Sequence, residues 1–200
     1  MARISDYSQA SDDELVKAAR GGDRGAFEEL VARHRDKIHT RAWSMVRSRD
    51  DAYDLSQETW IKAWQRLEQF HGDSSFATWV TRIAINVCLD HLRRQKRAHF
   101  ESTETLEETI GGVERLLPPV ENDPLQGLER EELRDRIDAA MAQLTDPHRL
   151  VLVLHEFEGL EYKEVARRMK CSIGTVMSRL FYARRRLATL LAGLKEERKP

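Results

Sequence analysis

Apolar residues return along this chain at three- and four-residue intervals, the spacing that lines up one face of an α-helix. The clearest run is Phe76, Trp79, Val80, Ile83, Ala84, Val87, Cys88, His91 and Leu92, a stripe longer than four turns that must be core. The opposite stripe holds Arg82, Asn86, Asp90, Arg93 and Arg97, a largely basic row with a central amide turned away from that core. Earlier, Ser11-Asp12-Asp13-Glu14 reads as a capping box that opens a short helix, and Gly21-Gly22 ends it. A second helix begins near Arg24 and sets Phe27, Leu30, Val31, His34, Ile38, Ala42 and Trp43 on one buried face; a third runs from about Asp50 to Phe70.

From Phe100 to about Asn122 the periodicity fails, and Gly111-Gly112 and Pro118-Pro119 interrupt any helix, the mark of an extended connector. It resumes with Leu133, Ile137, Ala140, Met141 and Leu144, breaks at Asp146-Pro147, continues through Leu150, Leu154 and Phe157, and turns at Gly159. The pattern predicts an all-α protein of two small helical domains, 1–99 and 131–200, joined by a linker over 100–130. In the second domain Val165, Ala166, Met169, Ile173, Val176, Leu180, Ala183 and Leu187 fit two helices joined by a tight turn near Lys170 to Ser172, which is helix-turn-helix spacing. Ser172 is a good N-cap for the second of these helices, whose outer face then presents Thr175, Ser178, Arg179, Tyr182, Arg185 and Arg186, side chains suited to bases and phosphates.

Charge sharpens this division. The net charge of −1 over 200 residues hides 17 basic and 15 acidic side chains in 1–99, 2 and 8 in 100–130, and 14 and 11 in 131–200. Between Lys163 and Arg186 eight basic residues face the single acid Glu164, a density that favours a polyanionic partner. Apolar runs such as Leu150 to Leu154 fall far short of the ~20 residues that cross a bilayer, and the polar N-terminus lacks a signal-peptide core, so no membrane insertion and a cytoplasmic location are expected. Cys88 and Cys171 stand far apart inside apolar helical patterns and read as packing residues. No cofactor or metal site is expected either: the seven histidines are scattered, and His155-Glu156 lacks the second histidine of a zinc protease helix. With no glycine-rich phosphate loop or nucleophile elbow, an enzyme is not expected.

Three stretches carry a family resemblance. EGLEYKEVARRMKCSIGTVMSRLFYARRRL (158–187) resembles region 4 of the extracytoplasmic-function (ECF) sigma factors of RNA polymerase. DAYDLSQETWIKAW (51–64) resembles region 2.2 of that family, and FHGDSSFATWVTRIAINVC (70–88) resembles regions 2.3 and 2.4. Order, spacing and linker match across nearly the whole chain. The resemblance implies a factor that binds core RNA polymerase and directs it to promoter DNA in a stress or envelope response.

Residue by residue, the resemblance places Asp54, Gln57, Glu58 and Lys62 on one helical face, which in the family docks on the clamp helices of the polymerase. The segment Gly72 to Ala77, with Ser74, Ser75 and Phe76, corresponds to the loop that captures an unstacked base of the minus-10 element, beside Trp79 and Asn86. Opening a duplex needs such a pocket, because a base still in the stack cannot show its Watson–Crick edge. Trp79 also lies on the apolar stripe, so a packing role and a base contact coexist there. Arg82, Arg93, Arg94, Lys96 and Arg97 are expected on phosphates. In the helix-turn-helix, Ser178 and Tyr182 are expected on bases of the minus-35 element and Arg179 on phosphate.

The acidic linker resembles the segment that in the family threads the polymerase cleft, and the resemblance also implies an anti-sigma protein as partner. Two departures count. Lys170 sits in the turn, where a left-handed lysine costs about 1 kcal/mol, and Met177 and Tyr182 occupy positions that are basic in many relatives, so a promoter preference does not carry across. A stand-alone helix-turn-helix regulator is the rival reading, but it leaves the first domain's basic row and loop unexplained.

Overall fold

In the computed structural model, which describes residues 6–100 and 127–196, the capping box at Ser11 forms as the sequence predicts. Ser11 N–H and Oγ each donate to Glu14 at 2.8 Å, and Glu14 N–H returns to Ser11 Oγ at 3.3 Å. This opens α1 (Asp12–Arg20), which ends at Gly21 with Gly22 at φ +93°, a backbone that glycine adopts without strain. Asp23 caps α2 (Arg24–Val46) and Ser48 caps α3 (Arg49–Gln65). A single 3₁₀ turn (Leu67–Gln69) then leads into the loop before α4 (Phe76–Phe100). The third helix therefore stops at Gln65 rather than near Phe70. The chain divides into two compact units at Ser102.

In the first unit α4 is the central element, packed against α1, α2 and α3. It buries more than the expected stripe: Thr81, Ile85 and Leu89 join Val80, Ile83, Ala84, Val87 and Cys88 in the core. The Thr81 hydroxyl is accommodated by donating to Ala77 O at 2.7 Å. Leu15, Leu30, Ile38, Met45 and Phe76 are fully enclosed around it, each such side chain contributing on the order of 1.5–3 kcal/mol. The N-terminal residues are strapped on by Arg33, whose guanidinium donates to Tyr7 O and Ala10 O at 2.7 Å each. Trp43, expected in the core, is half-buried beneath the Arg47 guanidinium, 4.7 Å from the ring centroid. Arg47 is the left-handed C-cap of α2 (φ +57°), and that turn sends its side chain back over the indole.

The second unit comprises α5 (Gly127–Ala142), α6 (Asp146–Leu152), a π-helical turn (Val153–Phe157), α7 (Tyr162–Met169) and α8 (Ile173–Glu196). Ala140, Met141, Leu144, Leu150 and Leu154 are buried as the periodicity requires. Leu133 and Phe157, expected on the same stripes, are exposed. The α5 residues seen buried, Ala140 and Met141, lie in its C-terminal half, and the π-helical turn advances each residue less around the axis, carrying Phe157 off the stripe. Arg149 is buried; it donates to Leu144 O at 3.0 Å and pairs with Asp146, closing the α5–α6 corner. The acidic segment over 100–130 lies outside the described residues from 101 to 126; α4 runs to Phe100 and α5 begins at Gly127.

Candidate nucleic-acid interfaces

The loop between α3 and α4 is built over an aromatic floor. Phe70 and Phe76 meet edge to face with centroids 6.1 Å apart, and Trp79 tilts against them at 5.4 and 5.8 Å. Beneath them His34 packs on Phe76 at 5.7 Å and bonds Asp12 at 2.7 Å, tying the floor to α1 and α2. Gly72 takes φ +84°, where a side chain is strained, and so lets the loop turn. Ser75 caps α4: its Oγ accepts from Thr78 N–H at 3.2 Å and shares a hydrogen bond with Thr78 Oγ1 at 2.9 Å.

Among the loop residues expected to meet a base, Ser74 is half-buried, Ser75 is exposed, and Trp79 is half-buried with part of its ring open. Phe76 is a correction. It is 1% exposed and supports Trp79 from below, because it begins the helix on the core-facing stripe and cannot itself reach a ligand.

Along α4 the expected polar row does reach solvent: Arg82, Asn86, Asp90, Arg94, Lys96 and Arg97 are exposed and Arg93 is half-buried. The carboxylate of Asp90 pairs with Arg93 at 2.7 Å, and Arg94 donates to the Asp90 main-chain carbonyl at 3.4 Å. Cys88, on the core side of the same helix, has its thiol pushed up to about 12 by burial and then by the charge of Glu58. It is a packing residue.

On α3, Asp54 and Gln57 are exposed, and Glu58 pairs with Lys62 at 2.6 Å across one helical turn. The structure adds three residues to this face: Tyr53 (59% exposed), Ile61 (58%) and Trp64 (40%). Polarity on α3 is partly inverted, since Ser56 and Thr59 are buried and donate to Ala52 O at 2.6 Å and Leu55 O at 2.7 Å while these large apolar side chains face out. The signal was available: positions 53, 61 and 64 fall off the 52–55–56–59–60–63 stripe.

In the second unit α7 and α8 form the helix-turn-helix. Lys170 ends α7 in the left-handed region (φ +52°), as the turn demanded, and Ser172 caps α8 by accepting from Thr175 N–H at 3.0 Å. Val176, Leu180 and Ala183 are buried. Arg185 and Arg186 are exposed, whereas Thr175, Ser178, Arg179 and Tyr182 are half-buried. Thr175 shares a hydrogen bond with Ser172 Oγ at 2.8 Å, and Ser178 donates to Thr175 O at 3.1 Å. The Tyr182 ring lies 6.5 Å from His148 of α6, whose imidazole is held below its ordinary range by burial and then by the charge of Arg179. Glu164, bonded by Arg167 and Arg168, has its carboxyl lowered to about 2. Two apolar residues turn outward at the start of α8: Met177, 53% exposed, and Ile173, which the periodicity placed in the core and which is 46% exposed.

An aromatic-floored loop beside an exposed, mainly basic helix row, followed by a capped helix-turn-helix, defines a two-part helical DNA-reading protein. Comparison with known proteins gives it a family. Sigma-70 region 2 matches residues 30–98 and sigma-70 region 4 matches residues 134–187. The RNA polymerase sigma-H factor of Pseudomonas aeruginosa is 37% identical over 191 residues, 95% of this chain and 98% of that one. The ECF RNA polymerase sigma-E factor of Escherichia coli K12 is 36% identical over 180 residues, 88% and 92% of the two chains. Among solved structures, the sigma factor RpoE of Bartonella quintana, crystallised with the anti-sigma factor NepR, aligns with a TM-score of 0.52 at 25% identity, covering 83% of this chain and 96% of that one. CnrH, in complex with the cytosolic domain of CnrY, gives 0.50 at 26%, covering 91% and 97%. This chain belongs to the ECF sigma factors of the sigma-70 family. It is a transcription initiation factor and not an enzyme.

Proposed function

We propose that the first unit docks on core RNA polymerase and opens the minus-10 element, and that the second unit reads the minus-35 element. The observation that carries this reading is the row Arg82, Asn86, Arg94 and Arg97, exposed beside the half-buried Arg93 on a helix otherwise sunk in the core and starting at the aromatic-floored loop. Phosphates meet the arginines; an unstacked base meets the open part of Trp79, Ser74, Ser75 and the amide of Asn86, which both donates and accepts. Asp54, Gln57, Glu58 and Lys62, with Tyr53, Ile61 and Trp64, form the polymerase face, whose mix of charge and exposed aromatic area suits a protein partner. In the second unit Tyr182, Ser178 and Thr175 face bases, while Arg179, Arg185 and Arg186 serve phosphates.

In this reading the domains are 1–99 and 131–200, with 100–130 as the acidic connector. The protein acts in the cytoplasm, where its polymerase and promoters are, in a stress or envelope response. Among the described residues no helix is long and apolar enough to cross a membrane. The partner of the RpoE neighbour supports an anti-sigma protein as the regulator here as well.

The test is promoter opening by core polymerase with and without the protein, followed by permanganate footprinting. Asn86→Ala is expected to preserve the closed complex and reduce reactive thymines near the start site. Loss of closed-complex binding with normal opening overturns the minus-10 assignment, and promoter binding that never depends on core polymerase favours a stand-alone regulator.

A further inference from the structure

The first two turns of α8 hold two features that their own domain does not explain. Ile173 and Met177, one turn apart, turn apolar side chains to water at 46% and 53% exposure. Gly174 between them is exposed and helical, and a Cβ built on it meets nothing nearer than Ser172 Oγ at 3.8 Å. Packing within the domain therefore does not require glycine there, and a glycine within a helix is less stable than alanine. At an exposed site, a missing Cβ lets the atoms of another molecule come close to the backbone. The charge of the helix says what that molecule is: from Ile173 to Lys195 α8 carries no acid, and beside Arg184, which pairs with Glu156, it carries Arg179, Arg185, Arg186 and Lys195, so the approaching surface is a polyanion. The one apolar feature that duplex DNA displays in its major groove is the thymine methyl.

We infer that the start of α8 meets a thymine-bearing stretch of the major groove at close range, with Met177 packed on a thymine methyl, Ile173 beside it, and Gly174 marking the point where backbone and duplex come together. This rests on the DNA reading of the second unit and names what that unit selects.

The experiment uses holoenzyme assembled from core polymerase and the full-length protein. Duplexes bound from a pool randomised upstream of the start site supply the upstream element, and each of its thymines is then replaced singly by deoxyuridine, which removes only the methyl. Loss of one buried methyl predicts about a fourfold fall in affinity at one or two positions. Met177→Ala holoenzyme, already weakened, is indifferent to the replacement at those positions. Gly174→Ala leaves the melting temperature unchanged or higher and yet weakens promoter binding, a combination that damage to the fold cannot produce.

An equal deoxyuridine cost in wild type and Met177→Ala, or no cost in either, overturns the methyl contact. Unaltered promoter affinity in Gly174→Ala overturns the close approach. Reduced affinity of Met177→Ala for core polymerase without DNA assigns the apolar pair to a protein surface and overturns the inference. If the wild-type holoenzyme selects no upstream element at all, the DNA reading of the second unit has failed, a result distinct from the other three.

Discussion

Glu164 is the single acid between Lys163 and Arg186, and its replacement separates stability from DNA affinity within one domain. Arg167 grips its carboxylate with two bonds, at 2.8 and 2.7 Å, and Arg168 adds a third at 2.7 Å. These bonds lower the carboxyl from 4.5 to about 2, a difference that at face value corresponds to roughly 3.4 kcal/mol. The Glu164 side chain keeps 31% of its surface in water and that of Arg167 keeps 73%, so solvent screens much of the interaction. Exposed helix pairs of this spacing contribute about 0.3–0.5 kcal/mol each. With Arg168 only 11% exposed, Glu164→Gln is expected to cost about 1–1.5 kcal/mol, or roughly 4–8 °C per kcal/mol in a domain of this size.

The sign with pH follows from the depressed carboxyl. Its stabilisation is complete above the ordinary carboxylate range and is lost as pH falls toward the folded value of about 2. The gap between wild type and Glu164→Gln, followed by circular dichroism melting, is therefore constant from pH 7 to 6 and shrinks as the pH falls below the ordinary carboxylate range. In parallel the variant removes one negative charge, so the salt dependence of DNA binding steepens by up to about 0.9 in logarithmic slope. A destabilisation that does not change with pH, or none at pH 7, refutes the reasoning.

Two further outcomes follow from the geometry. Asp54→Lys combined with Glu58→Lys is expected to weaken core polymerase binding in pull-down while leaving helicity within experimental error, since both side chains lie outside the core; unchanged affinity removes this face from the interface. Lys170→Gly is expected to raise the melting temperature of the second unit, by the few degrees that about 1 kcal/mol of relieved left-handed strain provides, without altering promoter selection; a lower melting temperature shows that the lysine stem contributes packing that outweighs the strain.

Helix order, the caps at Ser11 and Ser172, the helix-turn-helix and the exposed row of α4 were legible in the sequence because each depends on local spacing. A cap needs one hydroxyl at one position, and a stripe needs only the helical period. What was not legible depends on the identity of the neighbour. Trp43 has core chemistry, but the left-handed Arg47 places a cation over it. Phe157 follows the apolar period of its segment, but a π-helical turn rotates it outward. Phe76 was legible as core from the apolar stripe, and its burial beneath Trp79 overturns only the base-contacting role that its place in a matching motif implied. Ser56 and Thr59 are polar yet buried, each satisfying its hydroxyl inside the helix, which residue type alone does not signal. On the proposed polymerase face the charged residues were read directly, whereas Tyr53, Ile61 and Trp64 were legible only as large apolar residues off the α3 stripe.

In the proposed reading α4 meets a separated strand and α8 meets duplex DNA, and their surroundings differ accordingly. α4 is enclosed by three helices, so the row above its core is held on a rigid axis, and Ser75 and the aromatic floor set the loop at its start. A single strand is flexible and loses conformational freedom when bound; a receptor that is already ordered adds no comparable cost of its own. Duplex DNA is stiff, and the reader must fit it. On α8 the small polar groups are tied within the helix, Thr175 to Ser172 and Ser178 to the Thr175 carbonyl, while Tyr182 leans toward His148. The reach into the groove is then left to the long side chains and to the helix backbone itself. That is the arrangement in which a glycine such as Gly174 matters most: where polar side chains are short and already bonded, the distance between helix and duplex decides which contacts form.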